Sequence, residues 1–489
     1  MSKQPRGPIT TLLDLTDRDA QENDLFPLVS QVSWFTRDRA RKTVPFTPQV
    51  QLNLYRGPAA FGQRFSFDIG SINIGDLLIG AVLQVQLGHW LEEGYLAALR
   101  CGLYSYADVT TAWEYANSLG TCLIETAELE IDGVTVETID GDFINVFNTL
   151  FHDYNAQVGI EYDHIGRLPI PYLRQIGAPG NQLLPSPRNF PTEDGYVHCP
   201  LPFFFGRVRY QEALPLVSIK EGLSRIHITL RPFSQLVRQI RGYRDSCDSV
   251  PLQTPFTFNV RGESPVTVTT SNAVPSIKSV ALLTHGAIVD GEFRQGLLRK
   301  PFEMLHREVQ TFRFDEPMKY VINKTSDAVT IQLPLEANHP VEEIIWYVRR
   351  KGTGINNEWT NYSDRLEQEW QTDSKFATRP MVQSATVQVN GIRIIEADEQ
   401  YFRQHIAKKH RGGYAAYSNY IYGYSFAEQP GGHEPTGSIN ASRANSLRLT
   451  LTVRPPGGAL DPTWEVKVFC IALNWMRYEN GLANAIFED

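Results

Sequence analysis

The sequence predicts an all-β protein built from two similar sandwiches in tandem. Three observations lead to this fold class: most patterned stretches alternate apolar and polar residues with period two, helical periodicity is sparse, and an internal repeat runs through the chain. The length of 489 residues agrees with two copies, because a single hydrophobic core stops growing at roughly 250–300 residues.

Short alternating stretches supply the predicted strands. Residues 65–69, 225–230 and 446–453 each present one apolar face, and clusters of Gly, Pro, Asn and Asp bound them as turns require. Many short strands with few helices favour sandwiches or barrels over a parallel α/β sheet.

Two segments have the spacing of amphipathic helices. Residues 142–155 place Phe143, Phe147 and Leu150 on one stripe, and a second helix is predicted after Asp398. Residues 90–120 are expected to add a further helix or two.

One internal repeat is centred on a pair of predicted hairpins. Residues 127–140 (AELEIDGVTVETID) align with residues 385–398 (ATVQVNGIRIIEAD) at an offset of 258. Each segment contains a two-residue turn, Asp-Gly in the first and Asn-Gly in the second, which are the dipeptides that tolerate positive φ at both central positions of a type I′ hairpin. Each hairpin ends at an Asp that precedes an aromatic, helix-like stretch.

Two further pairs of segments keep the same order. Residues 65–69 resemble 329–333, and residues 227–232 resemble 450–455. Two copies of roughly 200 residues, each with about eight strands, predict two tandem eight-stranded antiparallel jelly-roll sandwiches with a few short helices in inserted loops. The predicted organisation is listed in chain order: an N-terminal arm 1–27, a first jelly-roll domain 28–240, a linker 241–276 and a second jelly-roll domain 277–489.

Composition excludes several classes of protein. Lys+Arg 46 against Asp+Glu 54 gives a net charge of −8, which argues against direct contact with nucleic acid. The N-terminus lacks a secretion signal, and no run approaches the roughly 18 apolar residues of a membrane span. The five cysteines are scattered without a C-x-x-C spacing, which favours a reducing compartment over disulfides or zinc. The N-x-S/T triplets at Asn323, Asn361 and Asn440 are interpreted as chance occurrences.

No motif for catalysis, cofactor binding or metal binding occurs, so the sequence predicts an absence of enzyme activity, of site residues and of cofactors. His227 is interpreted as a hydrogen-bonded or exposed strand residue rather than a metal ligand. His405 and His410, five residues apart beside lysines, fit a solvated basic loop better than a metal or anion site.

The acidic and basic clusters also have ordinary structural interpretations. Asp140 is assigned to a hairpin exit and Asp142 to a helix N-cap before Phe143. Glu128 and Glu130 share one face of a predicted strand, where a polar outer face is the default. The basic runs at residues 349–351 and 37–42 are predicted to be solvated surface.

Several segments resemble the major capsid proteins of nucleocytoplasmic large DNA viruses, the double jelly-roll family. Residues 341–350 (VEEIIWYVRR) and 357–363 (NEWTNYS) resemble the family's K-E-L-I-W strand and N-D-W loop. Residues 420–443 (YIYGYSFAEQPGGHEPTGSINASR) resemble its Y-x-Y-S-F-A-L-x-P-E-E-H-Q-P-S-G motif, which is long and specific. The N-terminal region departs from the family pattern, so the chain resembles a divergent member.

The resemblance implies a structural capsid protein found in the virion and synthesised and assembled in the host cytoplasm. The implied unit is a pseudo-hexameric homotrimer that tiles an icosahedral shell, with neighbouring capsomers, minor capsid proteins beneath the shell and an indirect association with an internal viral membrane as partners. Residues 95–121 and 349–381 would then form outward-facing loops.

Two rival functions remain open at this point. A tandem jelly-roll protein that binds or processes glycans would need convergent carboxylates or metal ligands. A cupin-like metalloenzyme would need an H-x-H pattern on a strand, and the sequence contains none.

Overall fold

The structure is a computed structural model, and its internal packing divides the chain into two compact units, Met1–Phe46 and Thr47–Asp489. The described residues are 44–88, 109–152, 159, 165, 195–207, 212–219, 223–241, 246–248, 256–258, 266–268, 276–315, 328–351, 357–364, 379–410, 420–432, 434–454 and 463–486. The predicted N-terminal arm and the basic run 37–42 lie outside these residues.

Strands account for most of the regular structure. In chain order they are β1 Phe46–Leu54, β2 Arg64–Asp68, β3 Leu77–Leu87, β4 Val109–Tyr115, β5 Ile124–Ile131, β6 Val134–Asp140, β7 Gly195–Leu201, β8 Ser224–Leu230, β9 Val237–Arg241, β10 Ser246–Asp248, β11 Phe256–Phe258, β12 Val266–Val268, β13 Ile277–Val289, β14 Phe302–Phe314, β15 Val329–Leu335, β16 Pro340–Arg350, β17 Val382–Val389, β18 Ile392–Asp398, β19 Ile421–Ser425, β20 Ile439–Asn440, β21 Leu447–Val453, β22 Trp464–Glu479 and β23 Leu482–Ala485.

Helices are few and mostly short. The α-helices are α1 Ser71–Ile74, α2 Leu119–Cys122, α3 Gly141–Leu150, α4 Phe204–Arg207, α5 Gly291–Arg299 and α6 Glu399–Lys409. Helices α3 and α6 occupy the two segments whose spacing predicts helices. Residues 109–115 form strand β4, however, so the helix expected within 90–120 is wrong over that part.

The strand orders of the two halves match one another. The first half contains the sheets β1-β13-β3-β7 and β2-β8-β5-β6, and the second contains β14-β22-β16-β19 and β15-β21-β17-β18. Neighbouring strands pair antiparallel, as β13 does with β3 and β22 with β14. Each half thus contributes eight equivalent strands, which confirms the predicted all-β fold of two tandem jelly-roll sandwiches. β20 and β23 extend one sheet of the second half.

The repeated hairpins occupy equivalent places. Strands β5 and β6 join through Asp132 and Gly133, with φ of 53° and 80°. Strands β17 and β18 join through Asn390 and Gly391, with φ of 52° and 77°. Positive φ at both central positions is the conformation that the Asp-Gly and Asn-Gly dipeptides predict.

The strand pairing bears on the predicted division of the chain. Ile277–Val289, which the sequence places at the start of the second domain, pairs with β3 in a sheet of the first half. Parts of the predicted linker form β10, β11 and β12, which join β4 and β9 in a fifth sheet. The predicted bounds 28–240, 241–276 and 277–489 stay predictions.

Large aromatic side chains fill the cores of both halves. Phe65 of β2 is fully buried, and the ring of Tyr55, which follows β1, packs against it edge-on with centroids 4.8 Å apart. In the second half, Trp346 and Trp464 are buried in the six-stranded sheet. Among the described helices, none is long and apolar enough to cross a membrane. Cys122, Cys199 and Cys470 are buried free thiols.

Candidate functional site

The polar residues weighed from the sequence for catalysis make ordinary structural contacts. Glu128 pairs with Arg64 at 2.7 Å on the polar face of β5. His227 bonds to Ser66 at 2.7 Å and to Glu130 at 3.0 Å across the neighbouring strands. Within the described part of the chain, no group of three or more His, Cys, Asp or Glu residues is placed to hold a metal ion.

His405 and His410 belong to a helix and its cap, so the predicted basic loop is wrong. His405 lies in α6, and His410 caps the C-terminal end of that helix. The Nε2 atom of His410 lies 2.7 Å from Oε2 of buried Glu343, and its ring packs on Phe151 of the first half with centroids 4.0 Å apart. His410 therefore contacts both sandwiches. We take the contact between the two sandwiches as the candidate functional site.

A buried group of charges forms the centre of this contact. We name it the inter-sandwich cluster; its members are Asp140, Asp142, Arg349, Glu465 and Lys467. The two aspartates begin α3 in the first half, whereas the other three residues lie on β16 and β22 of the second half. All but Asp140 are less than 9% exposed.

The geometry of the cluster satisfies each buried charge. Arg349 donates from Nη1 to Oδ1 of Asp142 at 2.8 Å and from Nε to Oε1 of Glu465 at 2.7 Å. Lys467 donates to Oδ2 of Asp142 at 2.9 Å and also to Asp140. Charge-assisted hydrogen bonds of this kind are what make buried ionic groups tolerable in a core.

The neighbouring charges decide how the cluster ionises. Burial opposes ionisation of Asp142, but Arg349 and Lys467 hold the pKa of its carboxyl well below the usual range. Burial likewise opposes ionisation of Glu465, and Arg349 with Arg313 lowers its pKa. The pKa of Lys467 is raised despite burial, because Asp142 and Asp140 lie beside it. Asp142, Glu465 and Lys467 are thus charged at neutral pH.

Two predictions from the sequence are wrong at this site. The sequence predicts solvated surface for the basic run 349–351, yet Arg349 and Arg350 are buried at the end of β16. The sequence predicts Asp142 as the helix N-cap, yet Asp140 is the residue that accepts from the backbone N–H of Phe143, at 2.8 Å. Asp142 is the second residue of the helix, within its first turn, and it pairs with Arg349.

A second ionic group supports the same contact. Glu137 of β6 accepts from the backbone N–H of Phe204 at 2.8 Å and from Arg207. Arg207 in turn donates to the backbone oxygen of Arg307 on β14, at 2.6 Å. Arg307 pairs with Glu212 of the first half and Glu342 of the second, so this group also spans both sandwiches.

The N-E-W segment of the family-like loop completes the contact. Trp359 donates its indole N–H to the backbone oxygen of Gln235 at 2.8 Å, and the guanidinium of Arg231 lies 4.1 Å from its ring centroid. Asn357 donates to the backbone oxygen of Ser234 at 2.8 Å. The motif can be recognised in the sequence. Its role in joining the two halves cannot, because its partners lie more than 120 residues away in the chain.

One potential glycan acceptor lies in the same loop. Asn361 is 2% exposed, and its side-chain nitrogen donates to Oε2 of Glu358 at 2.7 Å. A glycan on that nitrogen would have to displace this bond and the surrounding packing, so the folded chain cannot accept one there.

Comparison with known proteins gives a consistent family match. A family model described as large eukaryotic DNA virus major capsid protein matches residues 294–484, and one described as major capsid protein N-terminus matches residues 33–254. The major capsid protein of Pyramimonas orientalis virus is 24% identical over 383 residues, covering 76% of this chain and 78% of that protein. The major capsid protein of Chrysochromulina ericina virus is 25% identical over 332 residues, covering 63% of this chain and 52% of that protein. This chain therefore spans about half the length of the second relative.

Solved structures share the fold at low sequence identity. PBCV-1 VP54, fitted into a reconstruction of the virophage Sputnik, matches with a TM-score of 0.64 at 17% identity, covering 94% of this chain and 100% of that chain. The Faustovirus major capsid protein matches with a TM-score of 0.62 at 12% identity, covering 96% of each chain. Because the sequence identities are this low, the likeness shows a shared fold alone.

Proposed function

The chain belongs to the family of large eukaryotic DNA virus major capsid proteins, as a divergent member, and we propose that it assembles as a pseudo-hexameric homotrimer. Its role as a structural capsid protein that joins other capsid subunits in the shell of the virion follows from the family. The glycan-binding alternative is not favoured by the comparisons.

The observation that carries the trimer proposal is the matched pair of sandwiches fixed by the inter-sandwich cluster. Three chains around a threefold axis would place six similar sandwiches in a ring, and cyclic symmetry closes such a unit. A ring of six similar sandwiches can tile a hexagonal lattice. The buried ion pairs support this arrangement because they hold the two sandwiches of one chain in a fixed relation.

The division of the chain and its finer partners belong to the same proposal. We propose that the first sandwich ends with β13 and that α5 connects it to the second, which begins at β14. Minor capsid proteins beneath the shell, an internal membrane associated indirectly, assembly in the host cytoplasm and an absence of direct genome contact complete the proposed setting. The net charge of −8 supports the last of these.

Measurement of the native mass of the purified chain tests the trimer. Three chains of 55.3 kDa give a particle of about 166 kDa, which light scattering or native mass spectrometry resolves from a monomer. A chain that stays monomeric over the whole accessible concentration range would contradict the proposal.

A further inference from the structure

One guanidinium is shared by two buried carboxyl groups at the contact between the sandwiches. Arg307 of β14 donates from Nε to Oε2 of Glu342 at 2.6 Å and from Nη1 to Oε1 of Glu212. Glu342 lies on β16 of the second half, whereas Glu212 belongs to the first half. All three residues are less than 5% exposed. We name these three residues the bridging group, because the shared guanidinium joins the two sandwiches.

The charges of the bridging group do not balance. Two carboxyl groups face one arginine, and the neighbouring Arg207 is paired with Glu137. Burial lowers the pKa of His306 to about 4, so above that pH its ring adds no cation. The other titratable groups on the elements packed here are two acid–histidine pairs: Glu308 of β14 with His339, and Glu343 of β16 with His410. One buried negative charge is therefore in excess when both carboxyl groups of the bridging group are ionised.

The two carboxyl groups differ in their hydrogen bonds. Both oxygens of Glu342 accept from Arg307, at 2.6 and 3.3 Å, and the backbone of Gly431 also bonds to this carboxyl. Glu212 bonds to the side chain and the backbone of Arg307, but its Oε2 is buried without a hydrogen-bond partner among the described residues. A buried oxygen without a partner is costly, and more so when its group is charged. Oε2 of Glu212 is thus the atom at which a proton removes the excess charge.

We infer that the bridging group is a pH-sensitive switch: uptake of one proton at Oε2 of Glu212 strengthens the contact between the sandwiches, and release of that proton weakens it. The proton comes from solvent and turns an ionised carboxyl into a neutral one. The ion pair of Arg307 with Glu342 is kept in both states. The inference does not depend on the proposed trimer, because all three residues belong to one chain.

The direction of the pH effect follows from burial. Burial raises the pKa of Glu212 above its ordinary value of 4.5, although Arg307 opposes the shift. Burial raises the pKa of Glu342 as well, and the hydrogen bonds place the first proton on Glu212. A carboxyl with a raised pKa in the folded chain contributes stability that is fully present below pH 4.5 and is lost as pH rises through the folded pKa. The contact should therefore tighten on mild acidification.

Glu212→Gln tests the switch, because the amide keeps the shape of the carboxyl and carries no charge at any pH. As pH rises above 4.5, the folding equilibrium constant of the wild-type chain should fall relative to that of the variant, by up to about tenfold per pH unit, and then level off. Near pH 4.5 and below, the two chains should be about equally stable. Chemical denaturation of both full chains at one protein concentration measures this difference, and His306 cancels because both chains keep it.

Glu342→Gln is the matched control, because it changes the same chemical group beside the same guanidinium. Arg307 would lose the carboxylate that accepts from two of its nitrogens, and a buried charge without its partner is costly. This variant should lower the folding equilibrium constant at least about tenfold across the whole pH range. It should show no gain over the wild-type chain at neutral pH.

Infrared difference spectroscopy gives a second measurement that is independent of stability. On mild acidification the folded wild-type chain should gain a carbonyl band of a protonated carboxyl that Glu212→Gln lacks. The other carboxyl groups are present in both chains, so the difference between the two spectra isolates Glu212.

The outcomes decide the inference. An advantage of Glu212→Gln at neutral pH that disappears toward pH 4.5, together with the infrared band and an unstable Glu342→Gln, supports the switch. If Glu212→Gln is as unstable as Glu342→Gln at neutral pH, or does not fold, Glu212 acts as an ionised partner and the switch is overturned. A stability difference that does not change with pH, or equal infrared spectra, overturns it as well. The oligomeric state of the same samples bears only on the proposed trimer.

Discussion

At the residue scale, Arg349 shows how a buried charge can keep hydrogen-bond partners of opposite charge. Its guanidinium bonds to Asp142 and Glu465 and lies against Trp359, so every direction in which it points meets an acceptor or a ring. A buried ion pair adds little over a well-packed apolar group, but removal of one partner leaves the other charge unpaired in the core. Removal of one member should therefore lower the free energy of unfolding far more than replacement of the whole group by apolar residues.

Arg349→Met should therefore be strongly destabilising. We expect the free energy of unfolding to fall by about 3–5 kcal/mol, because Asp142 and Glu465 lose a buried partner. Chemical denaturation at a fixed protein concentration measures the change. Arg393→Met is the control, since the pair of Arg393 with Glu396 is largely exposed and its loss should change little. Equal losses of unfolding free energy in the two variants would show that the inter-sandwich cluster does not cause the destabilisation.

At the element scale, the duplicated hairpin and helix show one local structure in two surroundings. Asp140 and Asp398 accept from the third backbone N–H after them at 2.8 and 2.9 Å, so the cap geometry is the same in both copies. Helix α3 is buried along its whole length, whereas α6 buries only three residues. Local sequence thus sets where the helix begins, and the neighbouring sandwich decides how much of it is covered.

The turn between β17 and β18 gives a prediction at this scale. Gly391 has a φ of +77°, so Gly391→Ala should cost about 1–2 kcal/mol of stability, because a Cβ is disfavoured in the left-handed region. Gly296→Ala in α5 is the opposite case: a Cβ there meets no atom within 4 Å, and alanine should stabilise the helix by about 0.5–1 kcal/mol. Thermal denaturation should show midpoint shifts of opposite sign, and a shift of the same sign in both would contradict the turn argument.

At the scale of the whole molecule, the contact between sandwiches contains titratable groups that change the stability of the fold in opposite directions as pH falls. Burial lowers the pKa of His306 to about 4; its ring packs on Phe204 of the first half with centroids 5.1 Å apart. Burial raises the pKa of Glu137, Glu212 and Glu342. A histidine with a lowered pKa makes the fold less stable as pH falls, while a carboxyl with a raised pKa contributes in the opposite sense.

His306 should therefore impose an acid-sensitive step on stability. Between pH 6.5 and about 4 the unfolded chain binds a proton that the folded chain excludes, so the unfolding free energy should fall as pH decreases through this window. His306→Leu should remove about 1 kcal/mol per pH unit of this dependence. Because both proteins keep the glutamates, the difference between their denaturation curves isolates the histidine. Parallel curves across the window would refute the assignment.

The sequence by itself determined the elements whose cause is local. Period-two alternation predicted strands, the Asp-Gly and Asn-Gly dipeptides predicted two turns, and the repeat predicted two similar sandwiches. The family resemblance came from residues 420–443 and the N-E-W loop, and the matches over 33–254 and 294–484 confirm it. The strands and the turns can be recognised from the sequence because their signals lie in residues close together in the chain.

Only the tertiary structure decided which charges are buried and which apolar side chains are exposed. Arg349 reads as a surface residue because it sits in a basic run, and it becomes buried because α3, some 200 residues away, brings Asp142 to it. Strand β1 turns Val50, Leu52 and Leu54 outward, because Gln51, Asn53 and Tyr55 take the inner side. Burial depends on what the fold packs against each face of an element, and that partner is chosen by contacts far apart in the chain.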